Sequence, residues 1–403
     1  MTHPVERFRI RTRMTARDTD EEHRTASPLE LLFDLTFVVA VAQIADQLAI
    51  GIGKGDGFAD IVPFLMVFFA IWWAWINFTW FASAYDTDDV PYRLMTLVQM
   101  GGVLVLAAGV PAAFSVQNFL GIVIGYVIMR IAMVAQWVRA AVESPDGRST
   151  AIRYALGVTV IQLGWIGRLF LPLDPHDQWW SVFVSFFLLV ALEGVVPLWA
   201  QRRGDLAWHP RHIAERYGLF AIILLGETVA ALAVGIGLAL QSPHHLAALV
   251  IAAVSLLVLI FGLWWVYFME PAGEGLQFRR GLSFYWGYGH YFIFAALGAL
   301  GAGVEVAIAG VGPHPVVAPL VAAYSVAVPT AGYVLFLWAT NAPLVPRVVI
   351  RAWIVIPVVV LLILVPLVVQ SIGLAWDVAL IAIVIVFFVV ISVAVKIRTH
   401  QDA

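Results

Sequence analysis

The sequence predicts an all-α polytopic integral membrane protein of about twelve transmembrane helices, on three observations. Hydrophobic residues fill 62% of the 403 positions, charged residues only 12%, and mean hydropathy is +0.91. Soluble domains carry about 25% charged residues, so this chain has too little polar surface to enclose itself in water. Apolar runs of about twenty residues, the length needed to cross hydrocarbon, recur along the whole chain, and Arg and Lys gather in alternate connections.

Taken in order, the first six spans run Pro28 to Ile50, Ile61 to Ala84, Tyr92 to Phe114, Asn118 to Val138, Ala151 to Leu171 and Trp179 to Trp199. The second six run Tyr217 to Leu240, Leu246 to Phe268, Leu282 to Ile308, Val316 to Thr340, Val349 to Gln370 and Trp376 to Val395. Charge placement tests that count, because one wrongly split helix inverts every later loop. Arg7, Arg9, Arg11, Arg13, Arg17 and Arg24 precede the first span, Arg93 begins the third, and Arg139, Arg148 and Arg153 fall between the fourth and fifth. Arg202, Arg203, Arg211 and Arg216 follow the sixth, Arg279 and Arg280 the eighth, Arg347 and Arg351 the tenth, and Lys396 and Arg398 the twelfth. All lie on one side, and only Lys54 is in an opposite loop. The expectation is a multi-pass protein with both termini cytosolic.

On this reading residues 1–26 form a cytosolic Arg-rich tail, which holds Asp18, Asp20, Glu21 and Glu22, contains no apolar run and is not a signal peptide. Residues 27–201 form a first six-helix half, 202–216 a cytosolic linker, 217–398 a second half and 399–403 a short tail. The halves resemble a repeat. Glu30 opens the first span as Glu215 precedes the seventh, and Trp72-Trp73 recurs as Trp264-Trp265, at offsets of 185 and 192 residues. The loop after each Trp pair is acidic and then basic. Six crossings between copies give parallel halves, a form some transporters have; chance similarity of apolar helices is the alternative.

Composition also excludes. With no cysteine, disulfides, thiolate metal sites and cysteine nucleophiles are absent. The net charge of −3 gives no footprint for nucleic acid. No phosphate-binding loop, dinucleotide fingerprint, serine elbow or zinc-protease helix occurs, so no cofactor and no metal is expected, and the partners are membrane lipid and an unknown small substrate or ion. Oligomeric state is not legible.

The ionisable residues inside spans carry the functional argument, because each costs on the order of 3 kcal/mol in hydrocarbon and faces a bundle interior or a wet cavity. At 1.5 Å per residue, Glu227 lies about 15 Å beyond Tyr217. Arg130, Glu193 and His290 fall at a similar depth from the same side. Arg130 with Glu193 or Glu227 is the natural ion pair, either functional or a lock between helices. Asp34 is one turn beyond Glu30, so the two carboxylates share a face and form a possible proton site. Ser27-Pro28-Leu29-Glu30 also reads as a capping box with Pro at the first helical position.

His290 either relays protons or is a hydrogen-bonded residue of an aromatic stretch. His244 and His245 occupy an outer loop, which leaves an imidazole metal site unsupported. Asp46, Glu305 and Asp377 fall near the opposite ends of their spans, where water contact is the ordinary reading, and Arg168 is placed to snorkel. Trp72, Trp73, Trp75 and Trp80 either line a cavity or anchor and pack, and Gly298, Gly301 and Gly303 mean close helix packing.

At Glu30-Leu-Leu-Phe-Asp34-Leu-Thr-Phe-Val and at Glu215-Arg-Tyr-Gly-Leu-Phe-Ala-Ile-Ile-Leu-Leu-Gly-Glu227-Thr-Val, the chain resembles the bacterial low temperature requirement protein A family. Gly289-His290 followed by Gly298-Ala-Leu-Gly301-Ala-Gly303-Val-Glu305 is similar to a third element of it. The family pattern commonly reads Glu-Leu-Phe-Phe-Asp at the first motif, and Leu32 stands here for an aromatic. The family is named for a growth phenotype. The resemblance therefore implies an integral inner-membrane protein and points to Glu30, Asp34, Glu215, Glu227, His290 and Glu305, without a substrate.

The expected function is an inner-membrane secondary transporter, coupled to protons through Glu227 with Asp34 or His290 as a second group and Arg130 as charge partner. A membrane enzyme or lipid-handling protein using carboxylates and His290 as acid and base is one alternative. A structural stress-adaptation protein whose charges only join helices is another.

Overall fold

A computed structural model of the chain describes residues 10–17, 25–55, 57–171, 179–204, 206–240, 246–311, 317–345 and 350–401. Arg7, Arg9, Asp18, Asp20, Glu21, Glu22, Arg24, His244, His245 and Arg347 lie outside them. The described chain is helical, with no strand. The elements are α1 (Pro28–Lys54), α2 (Gly57–Tyr85), α3 (Val90–Ser115), α4 (Leu120–Glu143), α5 (Arg148–Arg168), α6 (Trp179–Ala200) and α7 (Pro210–Ala239). They continue as α8 (Leu246–Tyr267), α9 (Ala272–Phe278), α10 (Ser283–Val311), α11 (Pro319–Asn341), α12 (Ala352–Leu364), α13 (Val369–Ile372) and α14 (Leu374–Gln401).

Each of the twelve expected spans is matched by helix. Eleven helical stretches are long and apolar enough to cross a membrane, with α12 and α13 forming one such stretch, Ala352–Ile372. The break between them is a short 3-10 turn, Val365–Val368, that holds Pro366; the ring displaces the backbone bond a straight helix would make there. The remaining long helix, α5, is diluted by Arg153, Gln162 and Arg168.

The chain divides into two compact units. The first holds Met1–Ala40 and Ala70–His209, the second Val41–Phe69 and Pro210–Ala403. In the first unit α3, α4, α5 and α6 pack on one another in chain order. The α3–α4 contact is close, because glycines remove the side chains that would hold the backbones apart. A Cβ added to Gly102 would lie 2.7 Å from the Gly125 carbonyl oxygen, and one added to Gly109 would lie 2.7 Å from the Ile122 nitrogen. An aromatic seam continues across the unit: Phe33 against Phe78 at 3.9 Å, Phe81 against Trp137 at 4.7 Å, and Trp137 stacked on Tyr154 at 4.2 Å.

In the second unit α10 packs against α7, α8 and α11, and α14 against α8 and α12. Of the three glycines expected to mark close packing in α10, Gly303 lies directly on the Ser325 backbone, whereas Gly298 and Gly301 leave ordinary van der Waals spacing. The Trp pairs that suggested a repeat differ in environment. Trp72 and Trp73 are buried, while Trp264 and Trp265 are exposed.

Part of the Arg-rich N-terminal segment is docked. The Thr12 amide donates to Asp89 Oδ2 at 2.9 Å and the Met14 amide to Glu143 Oε2 at 2.7 Å. Arg11 pairs with Glu143 at 2.8 Å, Arg13 Nε donates to the Glu143 carbonyl, and Arg139 reaches the Thr12 carbonyl at 2.7 Å. Arg139 also grips Asp89 at 2.9 and 2.6 Å. Asp89 is the N-cap of α3, accepting from the Tyr92 amide at 3.0 Å. Within this strap Met14 is fully buried.

Burial by itself would raise the Asp89 carboxyl. The Arg139 hydrogen bonds, the Thr12 and Tyr92 amides and the Arg139 charge outweigh it and hold Asp89 below the ordinary Asp range. A carboxylate depressed on folding contributes fully above its unfolded value, near 3.9, and that contribution is lost as pH falls through the lower folded value. Acidification below about 4 is expected to release residues 11–17, read as lost amide-exchange protection at Thr12 and Met14. Asp89→Asn should give the same release at neutral pH and cost about 2 kcal/mol. For the helix contact, Gly125→Ala should destabilise by about 1–3 kcal/mol in thermal melts. Gly101→Ala, where an added Cβ meets nothing within 4 Å, should be neutral or stabilising.

Candidate functional site

Within the first unit the polar centre is Glu193 on α6, 2% exposed. Its two oxygens collect four donors from three other helices. Trp73 Nε1 on α2 donates to Oε2 at 2.7 Å. Arg130 Nη2 on α4 donates to Oε1 at 2.8 Å, Tyr126 OH at 3.2 Å and Trp165 Nε1 on α5 at 3.2 Å. Arg130 also donates to the Tyr126 hydroxyl, and its guanidinium lies 4.6 Å from the Tyr126 ring centroid. Of the two partners expected for Arg130, the one it meets is Glu193. Both ions are buried, so the desolvation cost is offset only by this geometry and the added neutral donors.

The same unit holds Asp34 and Glu30. Asp34 is fully buried and accepts from Trp75 Nε1 at 2.7 Å. Glu30 closes a capping box: its Oε2 accepts from the Ser27 amide at 2.8 Å and the Ser27 hydroxyl accepts from the Glu30 amide at 3.3 Å. The capping reading of Glu30 is the one the geometry matches. Two tryptophans of the α2 cluster thus serve buried carboxylates. Composition left them as cavity lining, anchors or packing because an indole N–H is invisible in an apolar count, although a buried one ordinarily finds a partner. Tyr126 and Trp165 went unnoticed for the same reason. Arg168 does not simply extend to the interface; it donates to Ser185 Oγ at 3.0 Å and the Val182 carbonyl at 3.1 Å on α6.

In the second unit, His290 on α10 is 1% exposed and walled by Tyr217, Trp286, Phe294 and Tyr267, with centroids 4.2 to 6.0 Å away. Its Nδ1 is 2.8 Å from the Trp286 carbonyl, an acceptor, so Nδ1 carries the proton. Nε2, 3.2 Å from the Tyr267 hydroxyl, is then the acceptor. Both nitrogens are in use, which favours the hydrogen-bonded reading of this residue over a relay.

Glu227 on α7 and Glu305 on α10 are half-buried, and Asp46 on α1 is exposed. The three helices meet at Gly301: its missing Cβ would lie 3.8 Å from Ala45 Cβ and 3.9 Å from Thr228 Oγ1. Asp46 is near enough to act electrostatically on both glutamates. None of the three makes a hydrogen bond or ion pair among the described residues. The helix that carries Glu227 begins at Pro210, seven residues before the Tyr217 from which its span was counted. Pro210 at the first helical position was the available signal.

Glu215 on α7 is half-buried, and its neighbours His212 and Arg216 are fully buried. Asp377 corrects the expectation of water contact. It is buried at the start of α14, and neither carboxylate oxygen has a hydrogen-bond partner. No group of three His, Cys, Asp or Glu side chains among the described residues has the geometry to hold a metal ion.

The Arg130–Glu193 pair generates a prediction. Arg130→Met leaves a buried carboxylate uncompensated and should cost about 3–5 kcal/mol in thermal melts. Adding Glu193→Leu should restore much of that loss, and equal additive losses from the two changes would contradict the pairing.

Comparison with known proteins accords with these motifs. The model of the bacterial low temperature requirement A protein matches residues 25–392. An uncharacterized protein of Rhizobium meliloti (strain 1021) is 32% identical over 220 residues, covering 53% of this chain and 52% of that protein; the chain spans about half the length of this curated relative. No solved structure matches at a significant level. With the family match extending over nearly all of its membrane portion, the chain belongs to the bacterial low temperature requirement A protein family.

Proposed function

We propose that this protein is a proton-coupled secondary transporter of the bacterial cytoplasmic membrane, with both termini in the cytosol and two parallel six-helix halves. Family membership and the apolar helices support a bacterial multi-pass membrane protein, and the one-sided Arg and Lys pattern supports the orientation. The observation that carries the transport reading is the Asp46, Glu227 and Glu305 group. Three carboxylates without an ion-pair partner among the described residues stand together on helices that cross hydrocarbon. Such groups persist where a proton or cation from a wet path satisfies them in turn. Glu227 is the coupling group in this mechanism, with Asp46 and Glu305 in place of His290 and Asp34, which are committed to Tyr267 and Trp75.

At Glu193, whose oxygens are bonded from three other helices, the geometry favours the reading in which charges join helices. That reading leaves the second unit's carboxylates without a purpose. Acid-base lipid chemistry at His290 is disfavoured by the bonds at both its nitrogens.

In proteoliposomes loaded with a pH-sensitive dye, external addition of the substrate, found by screening small metabolites for lumenal acidification, should acidify wild-type vesicles. Glu227→Gln should reduce the initial rate at least tenfold, on the order of 1.4 kcal/mol or more in barrier. An unchanged rate in Glu227→Gln would remove Glu227 from the mechanism.

A further inference from the structure

We propose that the free donors of Arg130, together with the side chain of Gln162, form a binding site for a small oxyanion of the carboxylate class inside the first unit. The site is distinct from the carboxylate group assigned to coupling, and it is read by binding alone.

A guanidinium offers five N–H donors. Arg130 spends Nη2 on Glu193 and Tyr126. Its Nε and Nη1 have no partner, although the side chain is nine-tenths or more buried. Gln162 on α5, 7% exposed, has neither its amide nitrogen nor its oxygen bonded. These two side chains belong to one level of the bundle. α4 and α5 are consecutive helices joined by a short turn, and Trp137 stacks face to face on Tyr154. Two turns further along each helix, Arg130 comes opposite residues 161 and 162. The same register holds one turn beyond, where Tyr126 and Trp165 both reach Glu193 Oε1.

An unmet polar group in a protein interior costs about 1–3 kcal/mol, and native structures rarely carry several together without a ligand or ordered water. The guanidinium N–H groups prefer an anionic oxygen, with which their bonds are charge-assisted. Gln162 adds an amide donor and one acceptor, suited to a hydroxyl on the same ligand. The Arg130–Glu193 pair is neutral as it stands, so the ligand carries a single charge at most. Arg130 is the eleventh of the 24 residues of α4, about 15 Å along the helix. A lipid phosphate held at headgroup level is therefore too far away to be the source.

The test uses the purified full chain in detergent, with sodium acetate titrated against sodium chloride at constant ionic strength. Melting temperature and saturation-transfer NMR of the acetate methyl group are the readouts. Acetate should raise the melting temperature of the wild type beyond the chloride effect and show transfer from the protein. Gln162→Leu, which leaves every Glu193 contact in place, should weaken acetate binding at least tenfold while melting at the wild-type temperature or above in chloride. Arg130→Lys should abolish binding; should it fail to fold, Gln162→Leu decides alone. No acetate effect in the wild type, or one that Gln162→Leu leaves intact, overturns the proposal and assigns the unmet donors to water.

Discussion

A carboxylate buried among hydrophobic helices must be surrounded by donors, and the first unit is arranged by that requirement at Glu193. Its donors come from α2, α4 and α5 while it stands on α6, so one side chain ties four helices to a common height. Hydrophobic contact alone cannot do this inside a membrane, where lipid tails are as apolar as leucine and sliding one helix along another costs little. A single acceptor with fixed partners removes that freedom. The glycine-lined α3–α4 contact and the Trp137–Tyr154 stack operate beside it through shape.

The second unit handles its charges differently. His290 is enclosed by aromatic rings and bonded on both sides, whereas Asp46, Glu227 and Glu305 are left to one another. The contrast is between side chains whose polar atoms are bonded within the protein and side chains that make no hydrogen bond or ion pair among the described residues. The family motifs include residues of both kinds. Glu30 is consumed by a helix cap and Asp34 by an indole, while Glu227 and Glu305 remain uncommitted.

The fold was largely legible, because a membrane imposes a length and a hydropathy that any crossing helix must satisfy. A helix stands at each of the twelve expected positions, and eleven helical stretches are long and apolar enough to cross; α5, with its three arginines, is the exception. Arg130 and Glu193 were found by equal depth, since an ion in hydrocarbon needs its opposite at the same height. The neutral donors Tyr126 and Trp165 were missed, and Trp73 and Trp75 were noticed without their role as donors, because all four contribute to hydropathy as ordinary aromatics. Asp46 was read apart from Glu227 because hydropathy ranks each span separately and does not show which helices are neighbours. The start of α7 was also placed seven residues late, and boundaries are where patterning is weakest.

The strap of residues 11–17 has a consequence for biogenesis. Arg11 and its partner Glu143 are separated by 132 residues, and Asp89 and Arg139 also follow the strap in the chain. At translation rates of about 5–20 residues per second, the segment made first waits roughly 10 s before its last ligand exists. Four helices must emerge and pair before it has a place to bind, so its docking reports that the stretch through α4 has assembled.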